Sequence, residues 1–380
     1  ERSTAVQHQL AQQAAADANA QGVEKLVGDF WATGMDEATI NAQGIAPLQA
    51  DLAAIDALTD TASIAEWLRT TAAKGQGFLW GIGAMPDFKD SSVNIAATGQ
   101  GGLGLPDTTY YTAADKAGIR EAYVAHIAKV LELSGTPAAD AQAQAADVLA
   151  FETRIAKASK SREEFSRNVE LYYNPMPVAE ADRLTPNFPW TTFFQAQGIA
   201  VPTTFSVSVP SFHQEVDRML VDVPVEQWKS YLRFHVVDGA SPYLSDAFAQ
   251  QNYDFYNRTL SGQQEIEPRW KRVLGTVDSQ VGEAMREPGK YWRGNVCASL
   301  NLIEAAVDAG CLDFVFSSTC ATYGDHDGVV LDETTPQAPL KVVARTGGAD
   351  AEAANARLFA RADAVPLLFW LHEQWPARFA

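Results

Sequence analysis

The sequence predicts a mainly α-helical, α+β body with one small β element, joined to a partial α/β, Rossmann-like fragment near its C-terminal end. Three observations carry this reading. Apolar residues recur at helical spacing through much of 1–70, 113–159 and 212–285. The stretch "GQGFLWGIGAMPDFKDSSVNIAATGQ" is strand-like and punctuated by glycine, which places a small β element between 76 and 98. All three cysteines, Cys297, Cys311 and Cys320, follow 296 residues that contain none, and "CLDFVFSS" beside them is an apolar run suited to a strand buried on both faces.

The elements follow in order. "VEKLVGDFWATGM" puts Val23, Leu26, Val27 and Phe30 on one helical face, and "MDEATINAQG" restarts a helix with Asp36 near its start and Gly44 near its end. After the β element, helices are predicted over 113–133 and 137–159, the second opened by Thr136-Pro137. "LYYNP", "LTPNFPWTTFF" and "VPTTFSVSVPSF" read as aromatic, proline-broken loops alternating with short elements, before helices return over 212–285. Trp190, Phe193, Phe194, Trp228, Tyr231 and Phe234 recur at helical or turn spacing and are assigned to the core. Ser299 to Asp308 forms a short amphipathic helix stopped by Gly310, and with the strand after it makes one αβ unit.

Composition narrows the partners. A 380-residue chain with 47% hydrophobic residues can fill two or more cores. Its net charge of −18, with no Lys- or Arg-rich run, repels a phosphate backbone and argues against nucleic acid. The longest apolar run, "AVPLLFWL" at 364–371, falls far short of the ~20 residues of a membrane span. Glu1 is followed by polar helical text with no basic and apolar leader, so no signal peptide is expected in this sequence. The three clustered cysteines are not a disulfide framework.

"TGQGGLGLP" spells G-x-G-x-x-G at Gly99, Gly101 and Gly104, the pattern of a dinucleotide pyrophosphate turn. That turn needs a helix opening at its last glycines, whose N-terminus holds the phosphates. Pro106-Asp107 follows instead, and no apolar helical period begins before Ile119. A glycine-rich structural loop is the reading favoured by this context.

The blocks "VGDFWATGMDEATINAQGIAPLQADLAAID", "GQGGLGLPDTTYY", "RNVELYYNPMPVAEADRLTPNFPWTTFFQAQGI" and "WKSYLRFHVVDGASPYLSDAF" resemble the N-terminal region of bacterial M13, neprilysin-like zinc metallopeptidases over about 1–285. The resemblance implies a helical lobe, zinc, peptide substrates and an exported location, and it makes the glycine-rich block a structural segment. From 286, "REPGKYWRGNVCASLNLIEAAVDAGCLDFVFSSTCATYGDHDGVVLDETTPQAPL" resembles the middle of UDP-glucose 4-epimerase, an extended short-chain dehydrogenase that uses NAD. Residues 341–380 resemble neither family. "VGEAM" at 281–285 ends one pattern and begins the other, which reads as a recombined or misassembled gene.

Neither chemistry is complete in these residues. A zinc peptidase needs H-E-x-x-H, two histidines one helical turn apart with a glutamate as general base. The six histidines, at 8, 126, 213, 235, 326 and 372, do not supply it; His372-Glu373 begins the motif, but Pro376 stands where the second histidine belongs. Glu304 and Asp308 have the spacing of the family's E-x-x-x-D segment but fall on the epimerase-like helix, as a solvated face. On the epimerase side, Thr319 matches the family's assisting Ser/Thr and Asn295 a residue close to its substrate site. The Tyr-x-x-x-Lys pair is missing from "LKVVARTGGADAE", and the NAD loop expected some ninety residues before Tyr291 falls in peptidase-like text. No cofactor is therefore expected in this chain. His213 and His235 read as ordinary helix or boundary residues, and Asn257-Arg258-Thr259 as a glycosylation sequon in spelling alone. A lone αβ unit lacks the neighbours that Phe314, Val315 and Phe316 need, so loose order or self-association through the C-terminal fragment is expected. The expected outcome is an incomplete peptidase, inactive as it stands, with an epimerase-like oxidoreductase fragment and a non-catalytic binding module as alternatives.

Overall fold

The computed structural model describes residues 2–90 and 93–280. The αβ unit expected over 286–340, and with it Asn295, Glu304, Asp308 and Thr319, lies outside the described residues. The chain divides into two compact units, one of residues 1–33 with 269–380 and one of residues 34–268.

The first unit contains α1 (Arg2–Ala16), α2 (Gly22–Met35) and α15 (Arg269–Gln280). Sequence spacing aims Leu26 and Phe30 of α2 inward, yet they are 52% and 38% exposed, while Gly28 and Trp31 are buried. Close approach explains the rotation. A Cβ on Gly28 would collide with the carbonyl of Ala14, so the alanine-rich α1 lies directly against the one position of α2 that has no side chain. Backbone proximity outweighs the burial of two larger apolar groups there. The ring of His8 stacks on Trp270 at 4.3 Å and leans on Trp31 at 5.1 Å.

The second unit begins with α3 (Glu37–Gln43), where Asp36 accepts from the Thr39 N–H at 3.1 Å, the capping expected from the sequence. A 3₁₀ turn at Ala46–Leu48 leads into α4 (Gln49–Asp56). In α5 (Thr61–Ala73), Asp60 and Ser63 satisfy each other's backbone N–H groups in a capping box, and Ile64, Ala65, Trp67 and Leu68 are buried. The β element follows as a hairpin of β1 (Ile82–Pro86) and β2 (Asn94–Thr98), registered from Ile82↔Thr98 to Pro86↔Asn94.

Next come α6 (Thr109–Thr112), α7 (Ala117–Leu133), α8 (Ala138–Ala158), α9 (Arg162–Arg167), β3 (Pro175–Pro177), α10 (Val178–Leu184), α11 (Trp190–Ala196) and β4 (Thr204–Val207). The unit closes with α12 (Pro210–Asp222), α13 (Val225–Ala240) and α14 (Asp246–Asn252), which runs into a π-helical segment at Tyr253–Thr259. The sheet is larger than the predicted β element. Its order is β1-β2-β4-β3, with β4 parallel to β2 and β3 antiparallel to β4. β3 is proline at both ends, tolerated because it forms an edge of the sheet. Phe205, Ser206 and Val207 of the central β4 are fully buried.

The core of this unit is aromatic. Trp190, Phe193, Phe194, Trp228, Tyr231 and Phe234 are all 0–1% exposed, as their spacing predicts. Each such side chain stabilises the fold by roughly 1.5–3 kcal/mol on burial.

Candidate functional site

The glycine-rich segment follows the end of β2, and three of its four glycines, Gly101, Gly102 and Gly104, answer to packing. A Cβ at Gly104 would coincide with the Tyr123 hydroxyl. At Gly102, where φ is +83°, it would lie 2.7 Å from the Tyr231 hydroxyl and 2.9 Å from Leu79 Cδ2. The Tyr231 hydroxyl donates to the Gly102 carbonyl at 2.9 Å. The helix that opens after the loop, α6, has only four residues. The segment is thus clamped to α7 and α13 by aromatic hydroxyls.

At the centre of the clamp is Glu152 of α8, fully buried. Its carboxyl accepts from the Tyr111 hydroxyl at 2.6 Å, from the Tyr123 hydroxyl at 2.9 and 3.0 Å, and from the Gly104 N–H at 3.3 Å. His235 Nε2 lies 2.8 Å from Oε1, placing an imidazole N–H on the same acid. Tyr111 in turn accepts from the Leu105 N–H at 2.9 Å. Burial, reinforced by the nearby Glu152 charge, pushes the phenols of Tyr111 and Tyr123 far above their ordinary range, so both remain donors. Two carboxyl oxygens thereby bind the loop to three helices. Sequence reading missed Glu152, though a signal was there: Ala141, Ala145, Val148, Glu152 and Ile155 fall three or four apart on one buried stripe of α8. An acid on such a stripe must be paired.

A second cluster repeats the pattern. His126 of α7 is bonded through Nε2 to Asp238 Oδ1 at 2.9 Å and through Nδ1 to Gln251 at 3.1 Å, and Asp238 also accepts from the Tyr256 hydroxyl at 2.7 Å. His235 and His213, read as ordinary residues, prove unlike each other. His213 is 2% exposed, with neither ring nitrogen hydrogen-bonded, and sits among Phe212, Trp190 and Trp80 with ring centroids 5.1, 5.4 and 6.0 Å away. Burial lowers its pKa to about 3, against the opposing effect of the nearby Ser208 backbone. Its imidazole is neutral.

A catalytic zinc does not fit the described residues. No group of three metal-ligating side chains occurs among them. Of the four described histidines, His8 is stacked on tryptophan, His126 and His235 are each bonded to a carboxyl, and His213 is enclosed by aromatic rings. His326 and the His372-Glu373 pair lie outside the described residues.

On its outer face the glycine-rich segment borders a cleft of about 810 Å³, closed on the far side by the chain from Ser159 to Tyr172. The two walls are tied together: Gln100 donates to the Lys160 carbonyl at 2.6 Å and accepts from its N–H at 2.8 Å, and Asp107 accepts from the Arg162 N–H at 2.8 Å. Lys160 Nζ meets Glu164 at 3.0 Å. Thr98, at the end of β2, lines the cleft, is 2% exposed, and its hydroxyl has no partner. Among the described residues, no helix is long and apolar enough to cross a membrane.

Comparison with known proteins agrees with these features. Residues 1–288 match the family described as Peptidase family M13, and residues 272–347 match the NAD dependent epimerase/dehydratase family. Neprilysin-3 of Drosophila melanogaster is 27% identical over 220 residues, 55% of this chain and 28% of that protein. UDP-glucose 4-epimerase of Rhizobium meliloti is 48% identical over 67 residues, 18% of this chain and 20% of that protein. The zinc metalloprotease Zmp1 of Mycobacterium tuberculosis, solved with an inhibitor, superposes with a TM-score of 0.72 at 30% identity, covering 81% of this chain and 47% of that one. PepO of Lactobacillus rhamnosis, at 17% identity and a TM-score of 0.67, shares the fold. The chain spans less than a third of these curated relatives and about half of the solved peptidases. With residues 1–288 matched and the helical lobe superposed on solved peptidases, the chain belongs to peptidase family M13.

Proposed function

We propose that this chain carries the helical lobe of an M13 peptidase without a catalytic zinc site and does not hydrolyse peptides as it stands. The observation that carries this is the fate of the histidines. None of the six stands in H-E-x-x-H, and the four described ones are committed to packing or to carboxyl groups. Without two such histidines and a third ligand, no metal lowers the pKa of an attacking water. In the epimerase-like stretch, Thr319 and Asn295 keep the positions of an assisting hydroxyl and a substrate-side amide. Lacking the Tyr-x-x-x-Lys pair, they perform no hydride chemistry, and we expect no NAD binding. The two family matches overlap at 272–288, which favours a gene joined at the shared "VGEAM" over two intact domains. An exported location is the one that the M13 membership favours.

The test is a peptidase assay of the purified chain on unstructured peptides, with and without chelator. No chelator-sensitive cleavage is expected. Cleavage abolished by chelator and restored by zinc would overturn the proposal. Sequencing reads that show an uninterrupted peptidase frame across codons 280–345 would overturn the joined-gene reading.

A further inference from the structure

We propose that β1, the open edge of the four-stranded sheet, pairs antiparallel with β1 of a second copy of this chain and joins the two sheets edge to edge. This contact is separate from any association through the C-terminal fragment.

The two edges of the sheet are built differently. In the β1–β2 ladder the Gly99 N–H donates to the Gly81 carbonyl at 3.1 Å and the Asp87 N–H to the Val93 carbonyl at 3.0 Å. With Ile82 opposite Thr98, the residues of β1 that bond to β2 are therefore the odd-numbered ones, because bonded and unbonded pairs alternate along an antiparallel ladder. Ile82, Ala84 and Pro86 turn their backbone groups away from β2, and no hydrogen bond among the described residues engages the N–H of Ile82 or Ala84. In β3 the same reasoning gives the opposite result. The Val207 N–H donates to the Asn174 carbonyl at 3.0 Å and the Val178 N–H to the Thr203 carbonyl at 3.2 Å, so the even-numbered residues face β4. The outward positions are Pro175 and Pro177, which have no N–H. One edge of the sheet offers no donor. The other offers the Ile82 and Ala84 N–H groups on a strand of five residues, none of them charged, and charge is the usual guard against edge pairing.

That asymmetry selects the partner. A two-fold axis at Ala84 lets Ala84 of each copy donate to the Ala84 carbonyl of the other, and Ile82 of each donate to the Pro86 carbonyl of the other. Pro86 then serves as an acceptor alone, which is all that proline can do. Laying β1 on β3 of another copy would draw donors from one side only and so make half of these bonds. The self-complementary contact is the better one, and it closes at a dimer instead of continuing as an open stack. Gly83 and Ala84, at the centre of the edge, are exposed, and a Cβ on Gly83 meets no atom within 4 Å, which leaves the approach of a second strand uncrowded.

The experiment is amide exchange of the full chain, resolved to single residues, at about 2 and about 200 μM. Exchange at Ile82 and Ala84 is expected to slow by at least about tenfold at the higher concentration, while Gly83 and Met85, which already donate to β2, are protected at both. Ala84→Pro removes a donor that β2 does not use, so it is expected to abolish the concentration dependence and to leave the thermal midpoint at the lower concentration within about 2 °C of the parent. Ala84→Glu and Ala84→Lys test the register. Each alone sets like charges face to face across the axis and is expected to remove the protection, and an equal mixture of the two chains is expected to restore it by at least about fivefold. Free exchange of Ile82 and Ala84 at both concentrations would overturn the proposal. So would protection independent of concentration, which would mean that the chain covers its own edge, protection that survives Ala84→Pro, or a mixture that exchanges as fast as its separate components.

Discussion

At the scale of single residues, the second unit depends on a few polar side chains placed where only apolar ones are expected. Glu152 holds two phenols, an imidazole and a backbone N–H. Replacing it with alanine strands all four donors in a dry site. The expected cost is about 3–5 kcal/mol, with a smaller loss for Glu152→Gln, which keeps one acceptor oxygen. Urea unfolding of the two variants checks this, and a Glu152→Ala chain within about 1 kcal/mol of the parent would refute the clamp. His213 is the converse case, a buried titratable ring whose two nitrogens have no hydrogen-bond partner. The unfolded chain takes up a proton on that ring near pH 6.5, whereas the folded ring resists until about pH 3. Stability on this account is unaffected above pH 6.5 and falls as the pH drops through that window, by an amount on the order of 5 kcal/mol at its limit. His213→Leu should flatten the dependence of the urea midpoint on pH between 6.5 and 4. An unchanged slope would show that other groups set it.

At the scale of elements, what was legible in the sequence was what local chemistry dictates. α7 and α8 lie where their apolar period and the Thr136-Pro137 opening put them, and Asp36 caps α3 as its spelling requires. Two features were not legible, for different reasons. The strands β3 and β4 are three and four residues long, too short for an alternating pattern, and they exist because the β1–β2 hairpin offers β2 as a partner. The orientation of α2 depends on how closely α1 approaches Gly28, a tertiary fact with no local signature. The Glu152 clamp lay between these cases, since its stripe was readable but its partners come from α6, α7 and α13. Where a local rule acts alone, its size is predictable: Asp60→Ala removes the capping box of α5 and should lower the stability of this unit by about 1 kcal/mol, read as a shifted urea midpoint. No shift would mean that burial of Ile64, Trp67 and Leu68 fixes the helix start without the cap.

At the scale of the whole molecule, the chain joins two family patterns, and our proposal is that neither brings a complete reactive site. The M13 portion has a helical body with an aromatic core, whose buried Glu152 and His126–Asp238 clusters are hydrogen-bonded by neighbouring side chains. The epimerase-like portion carries Phe314, Val315 and Phe316 without the preceding half-sheet of its parent family, so self-association of the full chain is expected and would appear as a concentration-dependent mass in sedimentation. The most direct test of the central claim, that M13 ancestry here comes without M13 chemistry, is the zinc content of the chain purified in zinc-containing buffer and then dialysed. Well under one zinc per chain is predicted, with thermal stability indifferent to chelator; one tightly held zinc per chain, whose removal lowers the thermal midpoint, would contradict the account.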